Sequence, residues 1–492
     1  MTRSNPRQTD RDKEFVRELT NKSEDFSQWY VDVVRKAGLA DYTTIKGCMV
    51  IKPYGFALWE NMKAALDRRI KDTGHENAYF PLFVPESLLN KEAEHVEGFA
   101  PEVAWVTHGG KEPLEERLAI RPTSEAIICS IYAKWIQSYR DLPVLINQWA
   151  NVVRWEKVTR LFLRTTEFLW QEGHTCHRTR EEAQEETLRM LDVYRDFAET
   201  ELAMPVLTGR KSESEKFAGA EMTYAIEALM ADGRALQAGT SHNLGQHFAR
   251  VFDIKFLDED NTEKFVYQTS WGVSTRLVGG IIMTHGDDAG LRLPPRVAPV
   301  QVVFVPIIFE DSKAQVFEVV ERLAAACRDA GIRVKCDLRE QYSPGWKYNE
   351  WELKGVPLRV EVGPKDLQKN QCVLVRRDNR KKEFLPQDEL IPAVKRLLDD
   401  VQRSLFEQAL AFREANTHHV SDYAEFKDII ENRRGFVYAP WSGDADTEAA
   451  IKEETKATIR VIPFEQPSLT GVKDIYDPSR PAKFMAVFAR AY

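Results

Sequence analysis

Hydrophobic and polar positions alternate along this chain with two different periods, and the change of period marks its organisation. Phe26, Trp29, Val33 and Val34 recur at helical spacing, so residues 12–39 read as an amphipathic helix with Gly38 as its stop. Leu58, Met62, Ala65, Leu66 and Ile70 share one face of a second helix over 55–74. Residues 78–85 read as a strand with edge character from Pro81 and Pro85, and 86–99 as a short helix. Strand character returns before Arg121 and over 142–156, with a helix over 126–139 between them. Over 162–175 the spacing falls to two, which puts Arg164, Phe168, Trp170, Glu172 and His174 on one face of an extended chain. A charged helix over 180–202 ends before Pro205. Strands over 222–227, 234–240 and 264–270 follow, and 270–288 opens as a turn and becomes a helix.

The Pro-rich stretch 292–299 is a boundary. Before it the strands look antiparallel, without a βαβ rhythm. After it, apolar strands such as Val300–Ile308 alternate with helices, as in a small α/β domain. A third, more polar unit begins near residue 417. The reading is therefore α+β, divided as 1–295, 298–400 and 401–492.

Composition narrows this little. Apolar residues are 43% and charged residues 29% of 492, ordinary for a globular chain, and the net charge of −8 excludes a globally basic coat protein. Six cysteines are too few for a disulfide scaffold. The charged N-terminus lacks the apolar run of a signal peptide, and no stretch is long enough to span a membrane. The expectation is a cytoplasmic protein with reduced thiols and no membrane partner.

No Gly-x-Gly-x-x-Gly, P-loop or His-Glu-x-x-His motif is present. The strands over 146–175 carry Arg154, Glu156, Arg164, Thr165, Glu167, Trp170, Glu172 and His174. That pattern is either a solvated charged face or a site where guanidinium groups clamp phosphate and aromatic rings stack on a base. In Arg121–Ala126, Thr123 and Ser124 either cap a helix or, with Glu125, face a cationic substrate. His174, Cys176 and His177 do not lie on one face of a strand, so no metal is expected there. Residues 364–383 hold seven basic and three acidic side chains, either a solvated hairpin or a surface for a phosphate backbone.

Taken in order, these pieces resemble the prolyl-tRNA synthetases, class II aminoacyl-tRNA synthetases, in their archaeal/eukaryote-like short form. The likeness runs from about residue 12 to Tyr492. Tyr79–Pro85 resembles motif 1, with Pro85 at its dimer interface. Arg154-Trp155-Glu156 and Arg164-x-x-x-Phe168 resemble motif 2, and Ser270–Asp287 with Arg276 resembles motif 3. Arg121–Glu125 carries the Thr-x-Glu loop of the proline-specific members. Thr166–Thr175 and Gly239–Phe248 are similar to the family too.

The resemblance implies an antiparallel-sheet class II catalytic domain, an α/β anticodon-binding domain and a small C-terminal α/β domain. It implies that proline is activated with ATP and Mg²⁺ to prolyl-adenylate and then transferred to tRNA(Pro) by a homodimer. Arg154 and Arg276 are the implied catalytic groups. Arg154, Glu156, Arg164, Thr165, Phe168, Gln237, Thr240, Ser274 and Arg276 are implied for ATP. Thr123, Glu125, Arg154, Trp170, Glu172, His174, Phe217 and His242 are implied for proline. Lys354, Arg359, Lys365 and Lys369 are candidates for the anticodon.

Only 62 residues lie between His174 and Gln237, too few for the editing insertion of bacterial-type relatives. Alanine and cysteine should be misactivated, because a small apolar pocket separates near-isosteres weakly. Clearance then falls to a trans-editing factor.

Family members often hold zinc in the last domain through four cysteines. Here Ser442, Thr447 and Val461 stand at such positions, and the last cysteine is Cys372, so no structural zinc is expected. Synthetases for threonine, glycine or histidine, and a non-catalytic paralogue, are the competing readings. The Thr-x-Glu loop counts against the former, and the retained Arg154, Arg164 and Arg276 against the latter.

Overall fold

A seven-stranded sheet organises the first half of the chain. It is seen in a computed structural model that describes residues 19–93 and 102–492. The strands are β1 (Glu76–Asn77), β2 (Val144–Val153), β3 (Glu167–His177), β4 (Val206–Arg210), β5 (Met222–Leu229), β6 (Ala235–Gly245) and β7 (Tyr267–Ser274). Their spatial order is β1-β2-β3-β7-β6-β5-β4. All neighbours are antiparallel except β1 and β2.

The helices around it follow from local chemistry. Helix α1 (Phe26–Lys36) starts where the Asp25 side chain accepts from the Gln28 N–H at 2.9 Å, so it is shorter than the expected 12–39. Residues 12–18 of that expectation lie outside the described residues. Trp29, Tyr30, Val33 and Val34 are buried from it. Helix α2 (Pro53–Asp72) begins on a proline, whose missing N–H costs nothing at the first turn. Helix α3 (Glu125–Trp135) follows the Thr-x-Glu loop, α4 (Arg180–Asp196) packs on the back of the sheet, and α5 (Arg276–His285) follows β7.

Several expected strands shift. Residues 78–85 form no single strand; only Phe83–Pro85 pairs, in a three-stranded sheet with Trp105–Gly109 and Glu112–Ile120, because Pro81 has no N–H to give. The helix expected over 86–99 is seen as Glu86–Ala93, and its remainder lies outside the described residues. Strand β3 begins at Glu167 rather than 162, so Arg164 sits in the preceding loop. The stretch 270–274, read as a turn, completes β7.

The second unit is a five-stranded sheet of β8 (Val302–Pro306), β9 (Val334–Cys336), β10 (Leu358–Val362), β11 (Gln371–Arg376) and β12 (Lys382–Pro386), ordered β9-β8-β10-β11-β12. Its first three strands are parallel, and helices α6 (Lys313–Asp329) and α7 (Pro344–Leu353) connect them. Helix α8 (Leu390–Ala415) is continuous through residue 400, where a domain boundary was expected. The last unit is a four-stranded sheet of β13 (Thr417–His419), β14 (Phe436–Trp441), β15 (Thr458–Val461) and β16 (Phe484–Ala489), with α9 (Ala445–Thr455) between β14 and β15. Among the described residues no helix is long and apolar enough to cross a membrane.

Candidate active site

The register of the large sheet writes the site into rows. Glu172 faces Gly272, and Gly272 faces Thr240. One pleat further, His174 faces Ser270, Ser270 faces His242, and His242 faces Thr223. Side chains of one row share a face of the sheet. The floor is thus polar, and bare of side chain at Gly272. A cavity of about 260 Å³ stands on it, walled by Thr123, Glu125, Arg154, Phe168, Trp170, Phe217, Gln237, Ser274 and Arg276.

At one end the lining is cationic and aromatic. The Arg154 Nε donates to Pro122 O at 2.9 Å, and its guanidinium lies 5.5 and 5.3 Å from the Phe168 and Trp170 ring centres. Phe168 and Trp170 meet edge to face at 6.0 Å. Arg276 donates from Nε to Leu163 O at 3.3 Å. Desolvation lowers the Arg276 pKa first, and the positive Arg154 lowers it further. Two guanidinium groups thus add their fields in one cleft, which favours a polyanion.

The other end holds acid and imidazole groups. Thr123 donates its hydroxyl to Glu125, which is buried. Glu172 accepts from the Ser124 N–H at 3.2 Å, from Gln148 Nε2 at 3.0 Å and from His174 Nε2 at 2.9 Å. Burial alone would lower the His174 pKa, but the bond to Glu172 and the charges of Glu125 and Glu172 raise it. Burial would raise Glu172, but its bond from His174 and that group's charge lower it. Both directions describe an imidazolium–carboxylate pair. His242, by contrast, is pushed down to about 3 by burial and by the positive His174. Thr223 accepts from the Phe217 N–H at 2.9 Å and shares a second hydrogen bond with His242 Nδ1 at 2.9 Å.

All eight residues expected around proline line this cavity, as do Phe168, Gln237, Thr240, Ser274 and Arg276. Glu156 and Arg164 line an adjoining cleft of about 380 Å³ that shares Arg154, where Arg164 Nε holds Glu156 at 2.7 Å. Thr165 is buried, its hydroxyl donating to Glu167 O at 2.7 Å, and it lines neither. Glu215, Lys216, Thr223, Ser270 and Trp271 also line the cavity and were not anticipated. The two-residue period of β7 could have located Ser270; Glu215 and Lys216 sit in an aperiodic loop with no such signal.

The anticodon candidates separate. Lys365 and Lys369 are exposed. Lys354 is paired with Glu350 at 2.9 Å, and its carbonyl accepts from Tyr54 of α2. Arg359 is buried against Tyr348 and bonded to Glu361 and Glu352 at 2.9 and 3.1 Å.

In the last unit Val461 is buried. Thr447 accepts from Trp441 Nε1 at 3.1 Å, and the Ser442 N–H donates to Asp474 at 2.6 Å. A methyl-bearing side chain and two hydroxyls do not make a zinc donor set. Among the described residues no group of three or more His, Cys, Asp and Glu could hold a metal.

Comparison with known proteins agrees with this layout. The family model for the tRNA synthetase class II core domain (G, H, P, S and T) matches residues 105–285. An anticodon binding domain model matches 301–397, and one for the prolyl-tRNA synthetase C-terminal domain matches 423–492. A proline–tRNA ligase of Natranaerobius thermophilus is 63% identical over 453 residues, 92% of this chain and 94% of its own length. That of Rubrobacter xylanophilus is 61% identical over 479 residues, 97% of this chain and 100% of its own. Proline–tRNA ligase 2 of Clostridioides difficile is 58% identical over 481 residues, 98% and 99% of the two chains.

Proposed function

The chain belongs to the prolyl-tRNA synthetases, the class II proline–tRNA ligases, and from that premise we propose that ATP and proline react in the cavity on the β3-β7-β6 face. One observation carries the assignment of ends. Along β3 the wall runs from Phe168, whose ring centre is 5.5 Å from the Arg154 guanidinium, to His174 six residues on, which the register sets in one row with Ser270 and His242.

The adenine lies between Phe168 and the Arg276 guanidinium, and Gln237, Thr240 and Ser274 line the nucleoside. Glu156 and Arg164, held as a pair, border the cleft beyond Arg154 and serve the base edge and the outer phosphates. Thr165 shapes that loop from within. Proline's ammonium meets Thr123 and Glu125, and its ring packs among Trp170, Phe217 and His242. Glu172 keeps His174 and the Ser124 loop in place.

The proline carboxylate attacks the α-phosphate, and the bond to the departing pyrophosphate breaks. Negative charge grows on the phosphate oxygens as this happens, and Arg154 is already in place to stabilise it. No covalent enzyme intermediate is required. The 3′ adenosine of tRNA(Pro) then takes the prolyl group and releases AMP.

Magnesium takes oxygen ligands and ordinarily comes with the phosphates. Among the described residues no side-chain cluster offers it a cage. The segment between β3 and β6 is taken up by α4, β4 and β5, so no editing domain is inserted there. Correction of mischarged tRNA is assigned to a trans-acting factor.

Of the four anticodon candidates, Lys365 and Lys369 stay exposed and are assigned to the anticodon, while Lys354 and Arg359 brace their own domain. We assign a homodimer to the face beside Phe83–Pro85, where Tyr79 is 73% and Phe83 44% exposed. Six free thiols fit a reducing, cytoplasmic setting. ATP–pyrophosphate exchange tests the site: proline should support it, and Arg154→Ala should abolish it. Full exchange in Arg154→Ala would refute the placement.

A further inference from the structure

The loop of residues 211–221, between β4 and β5, brings Glu215, Lys216 and Phe217 to the cavity; the catalytic half ties down its later part, where Phe217 N donates to Thr223 and Glu221 pairs with Arg180. Much of what holds it comes from the C-terminal unit. Ser212 donates its hydroxyl to Glu448 of α9 at 2.6 Å, and both residues are buried. Lys452, one turn along α9, holds Glu215 at 2.9 Å. At the root of the loop, Lys211 bonds Glu227 at 2.8 Å, and Arg460 of β15 closes on the same carboxylate at 3.0 and 3.1 Å. All three of those side chains are almost wholly enclosed. The backbones join as well: Arg210 N donates to Ile462 O at 2.9 Å and Ile462 N returns to Arg210 O at 2.7 Å. Gly209 permits this approach, since a Cβ there would come within 2.5 Å of Ile462 O.

These contacts converge on one loop from a unit more than 200 residues away in sequence. We propose that Glu448, Lys452 and Arg460 are positioning residues for proline activation, acting through loop 211–221 on the proline end of the cavity. The proposal rests on the reading of that cavity given above. The C-terminal unit thereby acts on the first half-reaction, which needs no tRNA. A buried charge pair such as Glu227 with Arg460 and Lys211 fixes one geometry, because any other leaves a charge unpaired.

The test is ATP–pyrophosphate exchange by the full-length enzyme without tRNA, with proline and ATP varied separately. Glu448→Ala should raise KM for proline about five- to tenfold, the worth of one buried hydrogen bond. Lys452→Met should raise it about two- to fivefold, because that pair is half exposed. KM for ATP should move less than about twofold in either. Glu448→Gln, which still accepts from Ser212, and Lys452→Arg should restore the wild-type KM.

Lys452 is exposed, so its variant folds and keeps the test decisive. Unchanged KM for proline in both Glu448→Ala and Lys452→Met would overturn the proposal. Parallel loss of proline and ATP affinity with a lowered melting temperature would do the same, since it reports general damage. Arg154→Ala serves as the reference. If it retains exchange, the cavity reading has failed and takes the proposal with it; if it is inactive while Lys452→Met and Glu448→Ala behave as wild type, only the clamp has failed.

Discussion

The Glu172 carboxylate and the His174 imidazole, two positions apart on β3, stand 2.9 Å from each other with almost no exposure to solvent. Each group's shift favours the charged form of the other. The carboxylate also orders the Ser124 loop at the start of α3, so one pair joins the sheet to a loop whose Thr123 and Glu125 line the cavity.

Glu172→Gln should therefore do more than remove a charge. The amide cannot accept from His174, Gln148 and Ser124 together. We expect a loss of about 2–4 kcal/mol in denaturant unfolding and about a hundredfold drop in proline-dependent exchange. The pair's own contribution has a defined window. Lowered Glu172 contributes above its ordinary 4.5 and loses this as pH falls through its folded value. Raised His174 contributes below its ordinary 6.5 and loses this as pH rises through its folded value. The wild-type minus Glu172→Gln difference should thus be widest between about pH 4.5 and 6.5.

Acid should destabilise the enzyme early. Burial, the first cause in each case, holds His177 down to about 4 and His242 and His285 to about 3. The unfolded chain takes up protons at these sites below about pH 6.5, while the folded chain stays neutral there. Stability should fall as pH drops from 6.5 towards 4, by about 1.4 kcal/mol per pH unit for each such histidine. Urea midpoints across that range check it. His285→Asn should flatten the slope by about one proton, and an unchanged slope would contradict the assignment.

Arg154→Lys keeps a positive charge but loses the planar fork that reaches Pro122 O and lies near two rings. Exchange should fall about 10²- to 10³-fold with the melting temperature nearly unchanged. Near-wild-type turnover would show that charge alone suffices.

Gly173→Ala tests the floor from behind. A Cβ at 173 would fall 2.1 Å from Trp271 Cζ2, and Trp271 lines the cavity. The indole must move, which should cost about 1–3 kcal/mol and raise KM for proline. Calorimetry with exchange kinetics measures both.

Zinc should be dispensable. With Val461 packed in the core and Thr447 bonded to Trp441, chelator treatment should leave the melting temperature within about 1 °C. Elemental analysis finding one zinc per chain would contradict this.

Part of the site could be read in advance because it is written at period two. Phe168, Trp170, Glu172 and His174 all lie on β3 and all line the cavity. The same pattern carried the reading too far upstream: Arg164 belongs to a loop closed by the Arg160–Arg164 bridge, and no alternation survives there. Helix α1 came out too long because its face continues past the Asp25 cap, and a cap outweighs a weak hydrophobic pattern. The helix over 388–416 is legible in the sequence, so a boundary at 400 falls inside one unbroken helix, α8. Glu215 and Lys216 were not legible at all. Their place depends on Glu448 and Lys452, more than 230 positions away, and local pattern holds no record of such a contact.

Helix α8 runs without a break for 26 residues, about 39 Å. Along the way Gln402 bonds Thr200 O and Arg413 bonds Val206 O, both in the catalytic half. It is a ruler riveted at two points. Its first turns are packed in the core of the second unit through Leu390, Val394 and Leu397, so one unbroken rod carries that unit on the catalytic half.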